Sequence, residues 1–154
     1  KEGADELYRW LTEGYQLDIT KLRRMPEDLP ADDGILSVEL YHPTAAEEIA
    51  HQGLYQKWHG HRELQLVCAG KQWMNFTPIN ADKGIALSEY QNMHGISPQE
   101  TMAFGDNMND ASMLLRADYS YAIGNARKEI KGLTRFVADT NMNDGVLQVL
   151  RTIK

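Results

Sequence analysis

The sequence predicts an α/β fold: part of a doubly wound parallel sheet over residues 79–154, joined to a small α+β module over residues 1–78. From about Asn80 onward, strand-like and helix-like runs alternate regularly, the rhythm of parallel strands joined by crossover helices. Before that point a helix-like segment, a polar stretch and paired β-like runs follow one another without alternating. The second half holds only about three parallel strands where sheets of this kind commonly have about five or six, so further strands are expected upstream. A start at Lys1, without an initiator Met and directly in a helix-like run, likewise reads as a chain cut from something longer.

Each element has a local reason. Residues 5–16 read as a short helix with apolar Leu7, Tyr8, Trp10 and Leu11, and residues 24–33 as a Pro-bearing loop. Residues 35–41 are β-like and end at His42-Pro43. Thr44-Ala45-Ala46-Glu47 then has the spacing of a capping box, opening a helix to about Trp58. Residues 62–69 and 72–77 flank Gly70-Lys71 and predict a hairpin. A helix over 83–94 is closed by Gly95, and Ser97-Pro98-Gln99-Glu100 is a second capping box with Pro at the first helical position. Strands over 101–105, 119–123 and 135–138 then alternate with helices over 109–116, 126–133 and 144–153.

Composition narrows the functional classes. At 42% hydrophobic and 25% charged, the chain belongs with globular proteins rather than disordered ones. No apolar run approaches the roughly 18 residues a membrane-spanning helix needs, and no signal-type stretch follows Lys1, so a cytoplasmic location is expected. A net charge of -6 argues against nucleic acid as a partner, because phosphate backbones are bound by clustered Lys and Arg. The basic groups at 21–24 and 127–131 are few, and the second reads as the solvated face of a helix. The single cysteine, Cys68, lies in an apolar run and reads as a buried, reduced thiol.

Ligands of open α/β sheets bind beyond the carboxyl ends of the strands, so the segment after Met102-Ala103-Phe104 is the first place to look for chemistry. It reads Gly105-Asp106-Asn107-Met108-Asn109-Asp110. Gly105 permits a sharp exit from the strand, Asp106 can present a hard oxygen to Mg²⁺, and Asn109 can donate its amide to a phosphoryl oxygen. The competing reading makes Asp106 and Asn109 ordinary turn and capping residues. Lys83, a cation at a helix start where the dipole disfavours it, is either a solvated side chain or the partner of an anion. Asn125 in Ala122-Ile123-Gly124-Asn125-Ala126, and the 141–146 turn, read mainly as caps.

Lys83-Gly84, then 103–110 with Met113-Leu114, then 122–126, then Asn143-Asp144-Gly145-Val146 stand in an order and spacing that resemble the C-terminal signature of Cof-type phosphatases of the haloacid dehalogenase superfamily. The resemblance is strong over 78–154, where it implies the C-terminal half of a Rossmann-like hydrolase core. Residues 1–78 resemble the distal part of that family's α+β cap, which covers the site and selects substrate. It implies that Lys83 neutralises the transferring phosphoryl group, that Asp106 binds Mg²⁺ as the cofactor, that Asn109 contacts phosphate, and that Asp110 supports the metal shell.

Family members also carry an N-terminal Asp-x-Asp-Gly whose first Asp attacks phosphorus and whose second acts as acid and base. Nothing here matches it; Asp32-Asp33-Gly34 precedes a strand instead of following one and is rejected. The resemblance therefore implies a magnesium-dependent phosphatase of small phosphorylated metabolites, acting through an aspartyl-phosphate. The missing N-terminal part of the same protein would be partner to this chain, which alone is expected to be inactive. The rival readings are a non-catalytic phosphate- or metal-binding or regulatory protein, and a structural fragment that pairs through an open sheet edge. Among weaker signals, Asn75-Phe76-Thr77 matches a glycosylation acceptor that matters only on secretion. His51, His59 and His61 lack metal-ligand spacing, and Trp58, Trp73 and Met74 are core residues or the lining of a pocket.

Overall fold

A computed structural model describes residues 8–14, 37–58, 60–68 and 71–153. The expectations for 21–24, for the 24–33 loop with Asp32-Asp33-Gly34, and for His59 lie outside the described residues. Of the predicted first helix, residues 10–14 form a π-type turn.

The first sheet is antiparallel, in the order β1-β3-β2, with β1 at Val38–Tyr41, β2 at Leu64–Cys68 and β3 at Trp73–Pro78. The hairpin expected around Gly70-Lys71 pairs Leu64 with Pro78 and Cys68 with Met74. Between β1 and β2 the chain is helical but broken: α1 (Ala46–Ile49) runs into a wide π turn and on into α2 (Tyr55–Trp58), with Gly53 at φ 159 marking the kink. Ala46 and Ala50 are fully buried against Cys68 and Met74, so this helical layer covers one face of the sheet.

The start of α1 differs from expectation. Ala45 stands at the cap with no side-chain bond, and the His42 ring instead accepts the amides of Thr44 (3.3 Å) and Ala45 (3.0 Å) through Nδ1. His42 thus takes the Thr44 amide that Glu47 would have accepted in the box, while the Glu47 amide donates to the Lys71 carbonyl at 3.4 Å. The Glu47 carboxylate is thereby free for another partner.

The second sheet is parallel, in the order β4-β5-β6: β4 at Met102–Gly105, β5 at Tyr119–Ala122 and β6 at Phe136–Val137. It is preceded by α3 (Lys83–His94), whose bounds are those read from the sequence and whose closing Gly95 adopts the left-handed conformation at φ 66. The Ser97–Glu100 capping box forms but opens only a 3₁₀ turn, ended by extended Thr101. The crossovers carry α4 (Ala111–Leu114) and α5 (Lys128–Leu133), and α6 (Gly145–Leu150) closes the order.

One face of this sheet presents Ala103 and Ala122 to Leu114, Ile130 and Ala126. Small strand residues bring these helices close. Across the other face, the in-register trio Phe104, Tyr121 and Phe136 stacks at 5.1 and 5.0 Å between centroids. Helix α3 approaches α4 closely: a methyl group on Gly84 would lie 2.5 Å from the Ser112 carbonyl oxygen.

Candidate functional site

Backbone bonds tie together the loops that leave the three parallel strands. The Ile123 amide donates to the Gly105 carbonyl (3.0 Å), Arg127 to Asp106 (3.1 Å), and Gly124 to Asp139 (3.1 Å). Asn125 accepts the Asn141 amide through Oδ1 at 3.3 Å, a stitching role in keeping with the structural reading of that motif.

Within the first of these loops the capping work falls to Asn107 and Asp110. Asn107 Oδ1 accepts the Met108 amide at 2.8 Å. The buried Asp110 carboxylate accepts the amides of Asp106 (3.1 Å) and Asn107 (3.3 Å) through Oδ2. Through Oδ1 it accepts a 2.5 Å hydrogen bond from Lys83 Nζ. The loop can fold this tightly because residue 105 is glycine: a methyl there would sit 2.6 Å from Asp110 Cβ.

This division of labour leaves Asp106 and Asn109 without a capping role. The Asp106 side chain is exposed, and neither it nor the Asn109 side chain has a hydrogen-bond or ion-pair partner among the described residues. Structural capping therefore leaves both groups available. Of the two readings of Lys83, solvated side chain or partner of an anion, the structure shows it paired with Asp110, and Asp82 is the N-cap of α3. Asp82 Oδ1 accepts the amides of Gly84 (2.9 Å) and Ile85 (3.0 Å), and Oδ2 accepts the Ser112 hydroxyl (2.7 Å). The signal for Asp82 was present in the sequence, an Asp immediately before a helix.

Lys83, Asn107, Met108 and Asn109 line a cleft of about 490 Å³ whose opposite wall comes from the antiparallel module, including Glu47, Gln65, Asn75 and Thr77. Asp106 and Asp110 are not part of its lining: Asp106 is exposed one residue before it and Asp110 lies beneath it. Trp58 lines an adjoining cavity with Leu64, Leu66 and Ile79, of which Leu66 also borders the Lys83 cleft. Met74 is core. Trp73 packs on Tyr41 at 5.1 Å. None of these three lines the Lys83 cleft.

Arg127 departs from the solvated helix face expected of it. It precedes α5, and its guanidinium forks the Glu47 carboxylate, with NH1 to Oε1 and NH2 to Oε2 both at 2.8 Å. The hydrogen bond from Arg127 chiefly holds the Glu47 carboxyl below its ordinary value against the opposing effect of burial, and the same bond raises Arg127. A residue pair 80 positions apart leaves no local sequence signal.

Electrostatics support ionised carboxylates here. Burial opposes ionisation of Asp110, but the Lys83 bond and the amides of Asp106 and Asn107 outweigh it and hold the carboxyl below the usual range. Asp82 is likewise lowered, burial being outweighed by the Ser112 hydroxyl and the amides of Ile85 and Gly84. A carboxyl lowered in the folded state contributes stability that is complete above its unfolded pKa of about 3.9 and is lost as pH falls through the folded value. The urea midpoint is therefore expected to drop below about pH 4, and to drop less steeply in Asp110→Asn. Parallel curves for the two proteins would remove Asp110 from the account.

No group of three or more His, Cys, Asp or Glu able to hold a metal occurs among the described residues. Magnesium does not need one: it takes about one or two protein carboxylates and completes its octahedron with water and substrate oxygens. Partner-free Asp106 at the carboxyl end of β4 fits that demand, whereas the oxygens of Asp110 are already engaged.

The chain is similar to known phosphatases and hydrolases. The chain is 33% identical over 102 residues to the 5-amino-6-(5-phospho-D-ribitylamino)uracil phosphatase YwtE of Bacillus subtilis, covering 66% of this chain and 32% of that protein. It is 30% identical over 105 residues to the pyridoxal phosphate phosphatase YbhA of Escherichia coli, covering 68% of this chain and 35% of the other. The chain thus spans about a third of the length of these curated relatives. A solved haloacid dehalogenase-like hydrolase from B. subtilis superposes with a TM-score of 0.70 at 29% identity, over 83% of this chain and 45% of that one. No helix among the described residues is long and apolar enough to cross a membrane. The sequence profile of haloacid dehalogenase-like hydrolases matches residues 18–150, and the chain belongs to that family.

Proposed function

We propose that the full-length protein is a cytoplasmic, magnesium-dependent phosphatase of small phosphorylated metabolites such as sugar phosphates. Residues 79–154 would be the C-terminal part of its hydrolase core, and residues 1–78 part of a substrate-selecting cap. The observation that carries this reading is the division of roles in the 106–110 loop: Asn107 and Asp110 cap, and the Asp106 and Asn109 side chains are left without partners among the described residues, Asn109 sharing a cleft with Lys83.

In this reading the phosphoryl group enters the cleft between Lys83 and Asn109. Lys83 Nζ turns part of its hydrogen bonding from Asp110 toward a phosphoryl oxygen, and Asn109 donates its amide to another. Asp110 keeps Lys83 aimed and holds the loop in shape. Asp106 would hold Mg²⁺, which when bound offsets charge on the phosphoryl oxygens. The nucleophile is an aspartate outside these 154 residues; attack on phosphorus forms an aspartyl-phosphate, expelling the alcohol, and water then releases phosphate. Two displacements replace one difficult step.

The test is steady-state hydrolysis of p-nitrophenyl phosphate and a panel of sugar phosphates by the full-length protein, with Mg²⁺ and with EDTA. Turnover that needs Mg²⁺, together with none from the 154-residue chain alone, is expected. Turnover that persists in EDTA, or robust turnover by the chain alone, would refute the assignment.

A further inference from the structure

The cleft has two walls from different sheets, and Arg127 joins them. It stands in the loop after β5, its amide donates to the Asp106 carbonyl at 3.1 Å, and its guanidinium grips Glu47 on α1 in a two-point fork. Both Arg127 and Glu47 line the cleft. The fork is partly shielded, with side-chain exposures of 36% for Arg127 and 24% for Glu47. A bidentate guanidinium–carboxylate pair fixes angle as well as distance, which a single lysine contact does not. His51 and Lys71 also face Glu47, and Glu129 faces Arg127. None of these repeats the fork.

We infer that Arg127 is a positioning residue: through Glu47 it holds the helical wall of the antiparallel module at a set distance from the Asp106 loop, and so sets the width of the cleft that Lys83 and Asn109 line. The inference rests on the phosphatase reading for its kinetic consequence but not for its geometric one. The two ends of Arg127 separate cleanly. Substituting the side chain removes the grip on Glu47 and leaves the backbone bond to Asp106 in place. Substrate binding and metal dependence should therefore respond differently.

The experiment is a double-mutant cycle of Arg127→Gln and Glu47→Gln in the full-length protein, with Arg127→Lys alongside. KM for p-nitrophenyl phosphate should rise about fivefold in each single variant, and the double variant should be no worse than either, because the pair is already lost. Arg127→Lys should fall between, keeping the charge without the fork. The Mg²⁺ concentration giving half-maximal activity should stay within about twofold, since the Asp106 loop is untouched. Nitroxides at the exposed positions Gln52 and Met142, introduced as cysteines, should give a broader distance distribution in both single variants. Additive KM effects, a joint rise in KM and Mg²⁺ requirement, or unchanged distances would overturn the inference. A full-length protein without Mg²⁺-dependent turnover would sink the phosphatase reading alone, and the distance measurement would still decide the role of Arg127.

Discussion

Replacing Asp106 by alanine is expected to lower kcat/KM of the full-length protein about a thousandfold, the loss of some 4 kcal/mol of transition-state stabilisation. It should leave the unfolding midpoint almost unmoved, because an exposed substitution without packing or capping partners changes stability by only about 0.5 kcal/mol. The contrast between the two readouts is the point. The Asp106 side chain is exposed and has no hydrogen-bond or ion-pair partner among the described residues, so the fold has no need of its carboxylate and only the chemistry should notice its loss. Asp110→Asn should weaken the response to Mg²⁺ far less. Steady-state kinetics across Mg²⁺ concentrations, paired with urea denaturation, check both statements; equal loss of metal response in the two variants would mean the ligand has been misassigned.

Asp110→Ala should show the opposite balance, a destabilisation of about 3 kcal/mol, because it orphans two loop amides and a lysine at once. Most of that cost belongs to the amides of Asp106 and Asn107. The Lys83 side chain is 51% exposed, so water replaces much of what the ion pair supplied. Lys83→Ala should accordingly cost less stability than Asp110→Ala while removing more activity per unit of stability lost. Urea midpoints for the three proteins provide the check. A Lys83 variant as unstable as the Asp110 variant would show that the ion pair, rather than the capping of the loop, holds this corner together.

The parallel half of the fold was legible because its signals are local and repeated. Helix α3 has an Asp before it and a glycine after it, and its bounds were read to the residue. Crossover helices α4 and α5 came out shorter than read, since Asn107 and Asp110 begin the first with a 3₁₀ turn and Arg127 delays the second. In the antiparallel module the hairpin is legible in the sequence, but the start of the helix beside it and its break at Gly53 are not. The ring of His42 reached a cap by folding back over Pro43, a route no Ser/Thr-x-x-Glu pattern discloses. At the candidate site, spacing alone could nominate Asp106 and Asn109 but could not say whether they cap. That depended on what Asn107 and Asp110 do in three dimensions. The Arg127–Glu47 fork and the Asp82–Ser112 bond join distant segments, and only the folded chain brings them within reach.

The close approach of α3 to α4 has a consequence for how this sequence can drift. Gly84 admits the Ser112 backbone, and Ser112 returns a hydroxyl to Asp82 (2.7 Å) while accepting the Gly84 amide (3.2 Å). Positions 82, 84 and 112 thus form one unit in which no member can change size or polarity alone, and Lys83 and Asp110 each lie within two residues of it. In an alignment these three columns should vary together or not at all. A chimera that exchanged α3 with that of a relative while keeping the native 106–116 segment should fold only when the incoming helix carries both the Asp and the Gly.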